Sequence, residues 1–459
     1  MRALLVHPRF PLNGFWNYQK TCQLAGAKYP AAPLGLVTVA ALLPSDWEIR
    51  LVDMNARELS DEDLDWADLV LTGGMLPQQK NCLDVIRRAQ SRGKLVVVGG
   101  PDPTSQPGIY EAADFLVLGE GEVTIPAFLE DLQGGARRGR YLPDHRADMT
   151  TSPVPRFDLL RFDDYLMVGI QYCRGCPFNC EFCDIIELYG RVPRPKTAEQ
   201  VLRELDSLYA LGYRGHVDFV DDNFIGNRRE VKPLLRRLRS WSERRKHPFF
   251  FSTEASINLG DDEELMGLMQ DNDFRYVFVG VESADADVLR AAQKTQNASR
   301  DPLKCLAAIY RHGMVVNGGF IIGFDGESRD AARSMADFIQ AAKLPMAMVG
   351  LLYALPNTQL ERRLLREGRM LTNGDLADQD ATTTVDQATS GLNFLTQRPK
   401  EEILADFVEV VEAVYRPERY FDRILELIRV LEVRPRHRPP MAQLLKRGRG
   451  LARFLARAL

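Results

Sequence analysis

The sequence lacks the features that place a chain in a membrane, in the secretory pathway or on a nucleic acid. No apolar run is long enough to span a bilayer, and the first residues enter a strand pattern without the length or cleavage pattern of a signal peptide. The formal net charge of −4 gives no electrostatic reason to expect a nucleic acid partner. Low-complexity segments and solenoid repeats are also absent from the sequence. We therefore expect a globular, cytoplasmic protein.

Cysteine is scarce and unevenly placed. Seven cysteines occur in 459 residues, and four of them lie between Cys173 and Cys183. Such clustering does not make a disulfide framework and fits a reducing compartment. The chain is 45% hydrophobic and 27% charged, which is typical of globular proteins, and its length leaves room for two or three domains.

Three of the clustered cysteines, Cys176, Cys180 and Cys183, form a C-x3-C-x2-C motif just after an apolar strand pattern. Thiolates are the ligands of iron–sulfur clusters. Three cysteines leave one iron of a four-iron cluster open, and an open iron can bind a substrate. The spacing therefore predicts a catalytic [4Fe-4S] cluster. Phe182, between two of the ligands, is placed to shield the cluster or to stack on an adenine.

A structural zinc site is the alternative interpretation of this motif. Cys173-x2-Cys176 and Cys180-x2-Cys183 together offer four thiolates. Zinc sites usually separate their two cysteine pairs by a longer loop, which favours the iron–sulfur interpretation. Cys173 is accordingly not assigned as a ligand.

Residues 1–134 alternate short apolar runs with helical patterns, which predicts a doubly wound, Rossmann-like α/β domain with a parallel sheet. Ligands of such sheets bind at the carboxyl ends of the strands, where glycine lets the backbone approach a ligand closely. The candidate binding residues at these ends are Thr72, Gly73, Gly74, Met75, Leu76, Gln78, Gly99, Gly100, Pro101, Gly119, Glu120, Gly121 and Glu122.

Several ligands compete for this predicted edge. A dinucleotide is weakly supported, because no G-x-G-x-x-G follows the first strand. A flavin mononucleotide rests on the fold class alone. The structural alternative is that these glycines only make tight turns.

The remaining sequence divides into a linker, a barrel and a tail. Residues 135–165 are rich in glycine, arginine and proline and lack a clear period, which indicates an interdomain linker. Residues 166–370 resume the alternation and contain six β/α units, which predicts a partial barrel with chemistry at the carboxyl ends of its strands. Those ends carry Asp221-Asp222-Asn223, Thr253-Glu254-Ala255-Ser256 and Glu282. Each such side chain could instead cap the following helix.

The tail, residues 371–459, begins with a polar stretch to residue 396 that predicts a long loop, followed by amphipathic helices over 401–415 and 418–431. No acidic residue follows Glu432. The basic residues beyond it, interleaved with leucines, are Arg434, Arg436, Arg438, Lys446, Arg447, Arg449, Arg453 and Arg457. This pattern predicts contact with an anionic membrane surface or, alternatively, a solvated or packed helix.

The cysteine spacing, with an apolar residue inside the last pair, resembles the signature of the radical S-adenosylmethionine (radical SAM) superfamily. A doubly wound domain directly before that motif resembles the cobalamin-binding branch, as do Val98-Gly99-Gly100-Pro101 and Gly119-Glu120-Gly121-Glu122. The resemblance implies three cofactors: a [4Fe-4S] cluster, S-adenosylmethionine and cobalamin at the edge described above. The residues that it implies for S-adenosylmethionine are Phe182, Asp221, Asp222, Asn223, Thr253, Glu254, Ser256, Glu282, Ile321 and Gly323.

Some positions depart from the family pattern. The D-x-H-x-x-G motif that supplies a histidine to cobalt is missing after the first strand, so the resemblance implies cobalamin without a protein histidine, and His7 is expected to be a turn or packing residue. Met75-Leu76-Pro77-Gln78 is then the segment expected to face the lower side of the corrin. Glu327 falls one place late for the adenine-side motif, and relatives more often have a small hydroxyl residue at Cys173.

The resemblance also implies an activity. In such a methyltransferase, a 5′-deoxyadenosyl radical abstracts hydrogen from an unactivated carbon, which methylcobalamin then methylates. The expected partners are a small-molecule or lipid substrate and an electron donor such as a flavodoxin or ferredoxin. The alternatives are a cobalamin-dependent cyclisation or rearrangement, and a non-catalytic iron–sulfur or zinc module, which would not need the carboxylates at the strand ends. No catalytic residue is assigned beyond the cofactor contacts.

Overall fold

The computed structural model describes residues 1–12, 14, 18–371 and 391–439, together with 441, 444, 448, 450 and 452. The strands are β1 (Arg2–His7), β2 (Tyr29–Ala31), β3 (Glu48–Asp53), β4 (Leu69–Gly73), β5 (Leu95–Gly99), β6 (Phe115–Val117), β7 (Gly139–Tyr141), β8 (Tyr165–Ile170), β9 (Cys173–Arg174), β10 (Arg194–Pro195), β11 (Gly215–Phe219), β12 (Phe249–Glu254), β13 (Phe274–Glu282), β14 (Val315–Ile322) and β15 (Met346–Leu351). The α-helices are α1 (Gln19–Ala25), α2 (Leu34–Leu42), α3 (Asp61–Trp66), α4 (Gln79–Gln90), α5 (Pro101–Ser105), α6 (Gly121–Gln133), α7 (Ile185–Leu188), α8 (Ala198–Ala210), α9 (Arg228–Arg244), α10 (Glu263–Asp271), α11 (Ala286–Ala291), α12 (Thr295–Ala298), α13 (Pro302–Arg311), α14 (Ala331–Ala341), α15 (Gln359–Arg366), α16 (Lys400–Tyr415) and α17 (Pro417–Val430).

These elements form two compact units. The first unit comprises Met1–Ile170, Glu199–His216 and the described residues from Pro439 onward. The second unit comprises Gln171–Ala198 and the described residues of Val217–Arg438. The cysteine motif lies in the second unit, and the glycine-rich strand ends lie in the first.

A parallel six-stranded sheet forms the centre of the first unit, with the strand order β3-β1-β4-β5-β6-β7. Side chains of β1 alternate between two apolar clusters, so that Leu4 and Val6 pack in one and Ala3 and Leu5 in the other. Burial of both faces explains why the four central residues of the strand, Ala3–Val6, are all apolar, as in other parallel sheets. The predicted doubly wound α/β fold is confirmed. The sheet also gains β7, which lies in the range predicted as a linker and pairs with β6.

Strand β2, and the contact that α8 makes with the segment after β7, were not predicted from the sequence. Strand β2 pairs in parallel with β8, the strand that precedes the cysteine motif. On α8, Gln200 donates its amide to the carbonyl oxygens of Met149, Thr150 and Ser152. These bonds hold the segment after β7, which contains no long regular element of its own.

The second unit is built around the strands β11 to β15, which lie side by side in the order in which they occur in the chain. The first two residues of β11 belong to the first unit. The pairs β12–β13, β13–β14 and β14–β15 are parallel. Helices α9, α10, α13 and α14 lie between successive strands in the sequence, as predicted. This repeated β/α pattern confirms the predicted partial barrel, and it brings the carboxyl ends of parallel strands to one edge.

Helices α16 and α17 confirm the predicted helical tail. Arg423 on α17 is buried and donates hydrogen bonds to the carbonyl oxygens of Leu344 and Val414. Most of the predicted polar loop, residues 372–390, lies outside the described residues, as do Lys446, Arg447, Arg449, Arg453 and Arg457 of the basic end. Among the residues that the structure describes, no helix is long and apolar enough to cross a membrane.

Candidate functional site

The loop that carries the cysteine motif, residues 175–184, is anchored at its base by the antiparallel pair β9–β10. Gly175 turns the chain with φ +91°, and a Cβ atom there would lie 2.9 Å from the carbonyl oxygens of Gly190 and Val192. The N–H of Cys176 donates to the carbonyl oxygen of Gly190, at 3.2 Å. Only glycine fits this position without strain, so the first ligand follows a fixed turn.

The three predicted ligands occupy a secluded part of this loop. Cys180 is buried, and Cys176 and Cys183 are partly buried. Burial raises the pKa of the Cys176 thiol and raises that of Cys183 well above its ordinary value. No three His, Cys, Asp or Glu side chains of the described residues are grouped as ligands of one metal ion. Three cysteines of a four-iron cluster bind three different irons, so they need not converge on one point.

Two aspartates after β11 hold the backbone of the cysteine loop. Oδ1 of Asp221 accepts hydrogen bonds from the N–H groups of Tyr172 and Cys173, at 2.7 and 2.8 Å. Oδ2 of Asp222 accepts the N–H of Gly175 at 2.7 Å. Both residues were predicted to contact S-adenosylmethionine, and the contacts that the structure shows for them are with the backbone of the cysteine loop.

The next predicted residue, Asn223, contacts the motif itself. Its Nδ2 lies 3.8 Å from Sγ of Cys176 and 3.1 Å from Oγ of Ser256. Ser256 in turn donates its hydroxyl to Oδ1 of Asn258 at 2.6 Å. Thr253, by contrast, is buried and donates to a strand carbonyl, so its hydroxyl serves the sheet.

Two carboxylate oxygens at these strand ends are buried and have no hydrogen-bond partner among the described residues: Oδ2 of Asp221 and Oε2 of Glu254. Burial raises the pKa of Asp221 to about 8 and that of Asp222 to about 6. The pKa of Glu254 is raised well above its ordinary value by burial and by repulsion from Asp218. Buried acceptors without a donor are costly, and an ammonium or hydroxyl group of a ligand would satisfy them. The site therefore fits S-adenosylmethionine, which carries both groups.

Glu282, at the end of β13, forms a buried ion pair with Lys294, with 2.5 Å between Oε1 and Nζ. Burial by itself would lower the pKa of Lys294. The Glu282 carboxylate opposes this effect, so that the pKa is raised overall and the amine stays charged. The amine also lies 5.7 Å from the centre of the Phe182 ring. Glu282 has φ +65°, and a Cβ atom on neighbouring Gly280 would lie 2.3 Å from its carboxylate. The pair therefore needs a glycine beside it.

The end of β14 forms an apolar wall near the motif. Phe324 packs edge-on against Phe182, with 5.6 Å between ring centres. Gly323 has φ +106°, and its N–H donates to Oε2 of Glu327 at 2.8 Å. Glu327, which falls one place late for the family motif, thus holds this turn, and burial raises its pKa to about 7. Ile321 is partly buried in the same strand.

Several contacts of the cysteine loop were missed in the sequence. Glu181 accepts two hydrogen bonds from Arg363 on α15, at 2.9 and 3.1 Å, and Arg363 also pairs with Asp325. Asn179 bonds to Gln359 on the same helix, at 3.0 Å. Further contacts come from the segment 292–296, whose sequence is that of an ordinary polar turn. No local pattern reveals these residues, because only the tertiary fold buries them.

In the first unit, the glycines at the strand ends are explained by close packing of neighbouring chain segments. A Cβ atom on Gly73 would lie 1.9 Å from the carbonyl oxygen of Gly99, and one on Gly99 would lie 2.5 Å from that of Val117. Gly100 and Gly119 have φ +99° and +72°. The observed packing accounts for these glycines without a ligand, and it leaves an edge made largely of backbone.

The other predicted residues of this edge divide into buried supports and one exposed side chain. Gln78 is 1% exposed, and its amide accepts the N–H of Met75 and donates to the carbonyl oxygen of Pro8. Met75 itself is 41% exposed. An exposed methionine beside a backbone edge fits the broad apolar face of a corrin. The side chains of Thr72, Glu120 and Glu122 form hydrogen bonds within the unit and support the edge. The other three predicted residues each begin an element: Leu76 a 3₁₀ turn, Pro101 α5 and Gly121 α6.

His7 is engaged on both ring nitrogens. Nδ1 lies 3.2 Å from Oδ1 of Asp53, and Nε2 lies 3.0 Å from Nε2 of Gln78. The hydroxyl of Tyr165 donates to the other oxygen of Asp53 at 3.0 Å. This network agrees with the packing role expected for His7.

Family models match both units. That of the Radical SAM superfamily matches residues 170–339, and that of the B12 binding domain matches residues 21–129. A third, named only as a domain of unknown function, DUF4070, matches residues 358–458. The chain belongs to the cobalamin-binding radical SAM methyltransferase family, because long, closely similar relatives support this assignment.

One such relative is an uncharacterized methyltransferase of Synechocystis sp., 45% identical over 92% of this chain and 78% of that protein. Another is the hopanoid C-2 methylase of Rhodopseudomonas palustris, 36% identical over 92% of this chain and 78% of that protein. The predicted family and its enzymatic character are thus confirmed, which sets aside the non-catalytic module.

Solved structures agree with the fold. TsrM from Kitasatospora setae, a radical SAM methyltransferase solved with cobalamin and a [4Fe-4S] cluster, has a TM-score of 0.67 at 15% identity and covers 100% of both chains. The radical enzyme OxsB, solved with aqua-cobalamin and S-adenosylmethionine, has a TM-score of 0.64 at 18% identity over 85% of this chain and 64% of OxsB. The predicted cofactors, a [4Fe-4S] cluster, S-adenosylmethionine and cobalamin, are those of this family.

Proposed function

We propose that the protein methylates an unactivated carbon atom, and that its substrate is a hopanoid-type lipid. The observation that carries this proposal is the 36% identity to the hopanoid C-2 methylase over 92% of the chain, which spans both the cysteine loop and the glycine-rich strand ends. Similarity confined to one unit would support a shared cofactor only. Similarity across both units supports a shared reaction.

Three cysteines and two carboxylates have distinct tasks in this proposal. Cys176, Cys180 and Cys183 hold the cluster, and Asp221 and Glu254 accept hydrogen bonds from the ammonium and ribose groups of S-adenosylmethionine through their partnerless oxygens. When bound, the cofactors supply an electron, a 5′-deoxyadenosyl radical that abstracts hydrogen, and the methyl group.

Other side chains order this site and keep it dry. Asp222 fixes the turn at Gly175 before the first ligand. Phe182 and Phe324 form an apolar wall beside the motif. Exclusion of water protects a reactive radical from side reactions. In the first unit, Met75 and the backbone edge beside it hold the corrin, and Gln78 supports that segment from below the surface.

The test is a reaction of the anaerobically reconstituted full-length protein with S-adenosylmethionine, methylcobalamin, a reductant and a hopanoid. We expect 5′-deoxyadenosine together with a hopanoid whose mass has increased by one methylene unit. Deuterium placed on the reacting carbon should appear in 5′-deoxyadenosine. Formation of 5′-deoxyadenosine with a rearranged but unmethylated lipid would replace methylation by the cyclisation or rearrangement alternative.

A lipid substrate also gives the basic tail a role at an anionic membrane surface, where each Lys or Arg contributes roughly 1 kcal/mol. Arg436 is already paired with Asp271 in the second unit, so the proposal rests on the residues beyond it. The full-length protein should sediment with anionic vesicles at low salt, and truncation after Glu432 should release it. Equal sedimentation of the full-length and the truncated protein would refute the membrane role.

A flavodoxin or ferredoxin is proposed as the electron donor.

A further inference from the structure

The segment Ala292–Gln296, which follows α11 and includes the first two residues of α12, contacts the cysteine loop through four of its five residues. Its side chains and backbone were not assigned any role from the sequence. The contacts join the carbonyl oxygen of Ala292 to the N–H of Glu181 at 3.1 Å, Gln293 to Asn179 at 2.6 Å, Lys294 to the Phe182 ring at 5.7 Å and Gln296 to Cys180 at 3.5 Å. Together these contacts hold the segment against the loop.

The last of these contacts reaches a sulfur atom. Nε2 of Gln296 lies 3.5 Å from Sγ of Cys180, and Gln296 is only 6% exposed. The opposite orientation of the amide would direct its oxygen at the sulfur, and two electron-rich atoms would then repel each other. An amide group can donate through nitrogen alone, so the observed orientation is the one that a thiolate favours.

The residues on either side of Gln296 are anchored to the end of β13. Lys294, two residues earlier, forms its ion pair with Glu282 in a buried environment. Asn297, the next residue, donates its amide to the carbonyl oxygens of Gly280 and Val281 at the end of β13. Both neighbours therefore fix the backbone of the segment to the barrel strand, and this places the Gln296 side chain beside Cys180.

The cysteines differ in the amide donors that reach them. The nearest side-chain amide to Cys176 is that of Asn223, at 3.8 Å, which is longer than the contact of Gln296 with Cys180. An iron–sulfur cluster gains a negative charge on reduction, and part of that charge resides on the sulfur ligands. A donor to a ligand sulfur stabilises the reduced state more than the oxidised one, and hydrogen bonds of this kind help to set cluster potentials.

We propose that Gln296 is a positioning residue that raises the reduction potential of the cluster through Cys180. The inference rests on the proposed ligation by Cys176, Cys180 and Cys183. The electron that reaches the cluster is then easier to deliver than it would be with an unbonded Cys180. Gln296 needs no contact with the substrate for this effect.

The experiment uses full-length protein with a reconstituted cluster, in wild-type form and as Gln296→Met and Gln296→Asn. Methionine keeps the length of the side chain without a donor, and asparagine keeps the amide on a shorter side chain. Thr295→Ser, at an exposed position on the same turn, is the matched control. The readouts are iron content and a redox titration followed by electron paramagnetic resonance, without substrate.

We expect wild-type iron content in Gln296→Met and a ratio of reduced to oxidised cluster that falls about tenfold at a fixed potential, equivalent to about 59 mV for one electron. Gln296→Asn should show a smaller shift in the same direction, and Thr295→Ser none. An unchanged reduction potential in Gln296→Met would overturn the inference about Gln296 and leave the proposed ligation intact. Loss of iron in both Gln296 variants would overturn it in favour of a merely structural role. A wild-type protein that forms no cluster would overturn the proposed ligation as well.

Discussion

The two candidate binding regions of the chain use polar groups in opposite ways. At the strand ends of the second unit, Asp221 and Glu254 keep buried oxygens without partners among the described residues. At the strand ends of the first unit, the side chains of Gln78, Glu120 and Glu122 form hydrogen bonds with other groups of the protein. The first arrangement leaves acidic oxygens for hydrogen bonds from a ligand, whereas the second presents a surface of backbone and apolar side chain. A small charged ligand requires the former, and a broad macrocycle is served by the latter.

The largest expected effect concerns the three predicted ligands of the cluster, Cys176, Cys180 and Cys183. Changing Cys176, Cys180 or Cys183 to Ala should abolish cluster binding and cleavage of S-adenosylmethionine, because each thiolate holds a different iron. Cys173→Ala should keep its iron, since Cys173 lies outside the C-x3-C-x2-C motif and its Sγ is directed at the carbonyl oxygen of Arg174, at 3.7 Å. Iron and sulfide analysis with a visible spectrum would check this. Iron loss in Cys173→Ala with retention in Cys176→Ala would show the ligand assignment to be wrong.

The next effect tests the charged arrangement of the second unit. Asp221→Asn and Glu254→Gln should each weaken binding of S-adenosylmethionine by roughly 10- to 150-fold, because a charge-assisted hydrogen bond contributes about 1.5–3 kcal/mol. Equilibrium binding to the cluster-loaded protein measures this. Asp262→Asn is the control, since that carboxylate accepts the N–H of Leu265 at the start of α10 in the same unit. Equal affinity in all three variants would remove both carboxylates from the cofactor site.

A smaller effect tests the backbone edge of the first unit. Gly73→Ala should destabilise this unit by about 1–3 kcal/mol and weaken cobalamin retention, because the added Cβ atom would overlap the carbonyl oxygen of Gly99. Gly108→Ala is the matched control, since a Cβ atom there meets no atom within 4 Å. Thermal unfolding and gel filtration of the cobalamin-loaded protein measure both properties. Identical behaviour of the two variants would contradict the tight edge.

The smallest effect is an expected lack of change at cobalt. The cob(II)alamin form should show no hyperfine splitting from an axial nitrogen in electron paramagnetic resonance, because His7 is engaged with Asp53 and Gln78. His7→Phe should leave that spectrum unaltered. An axial nitrogen signal that disappears in His7→Phe would make His7 a cobalt ligand and end the contrast between the two edges.

The fold and the cysteine loop of the second unit could be predicted from the sequence, whereas the detailed contacts in either site could not. Apolar runs and cysteine spacing are local patterns, and they placed the sheets and the loop of Cys176, Cys180 and Cys183. The strand β7 was missed because Gly139–Tyr141 is short and lies in a basic, glycine-rich stretch. Gln296 was missed because its contact with Cys180 joins positions 116 residues apart. The role of Asp222 in fixing the turn at Gly175 was hidden for the same reason.

The bond between Arg363 and Glu181 matters for anyone who recombines members of this family. Arg363 lies near the start of the stretch that matches the domain of unknown function. It nevertheless donates a hydrogen bond to Glu181, the residue that follows the predicted ligand Cys180. A chimera joined at residue 358 would therefore exchange part of the cluster's own scaffold together with the tail. A crossover placed beyond Arg369, which shares Asp325 with Arg363, would keep that scaffold intact.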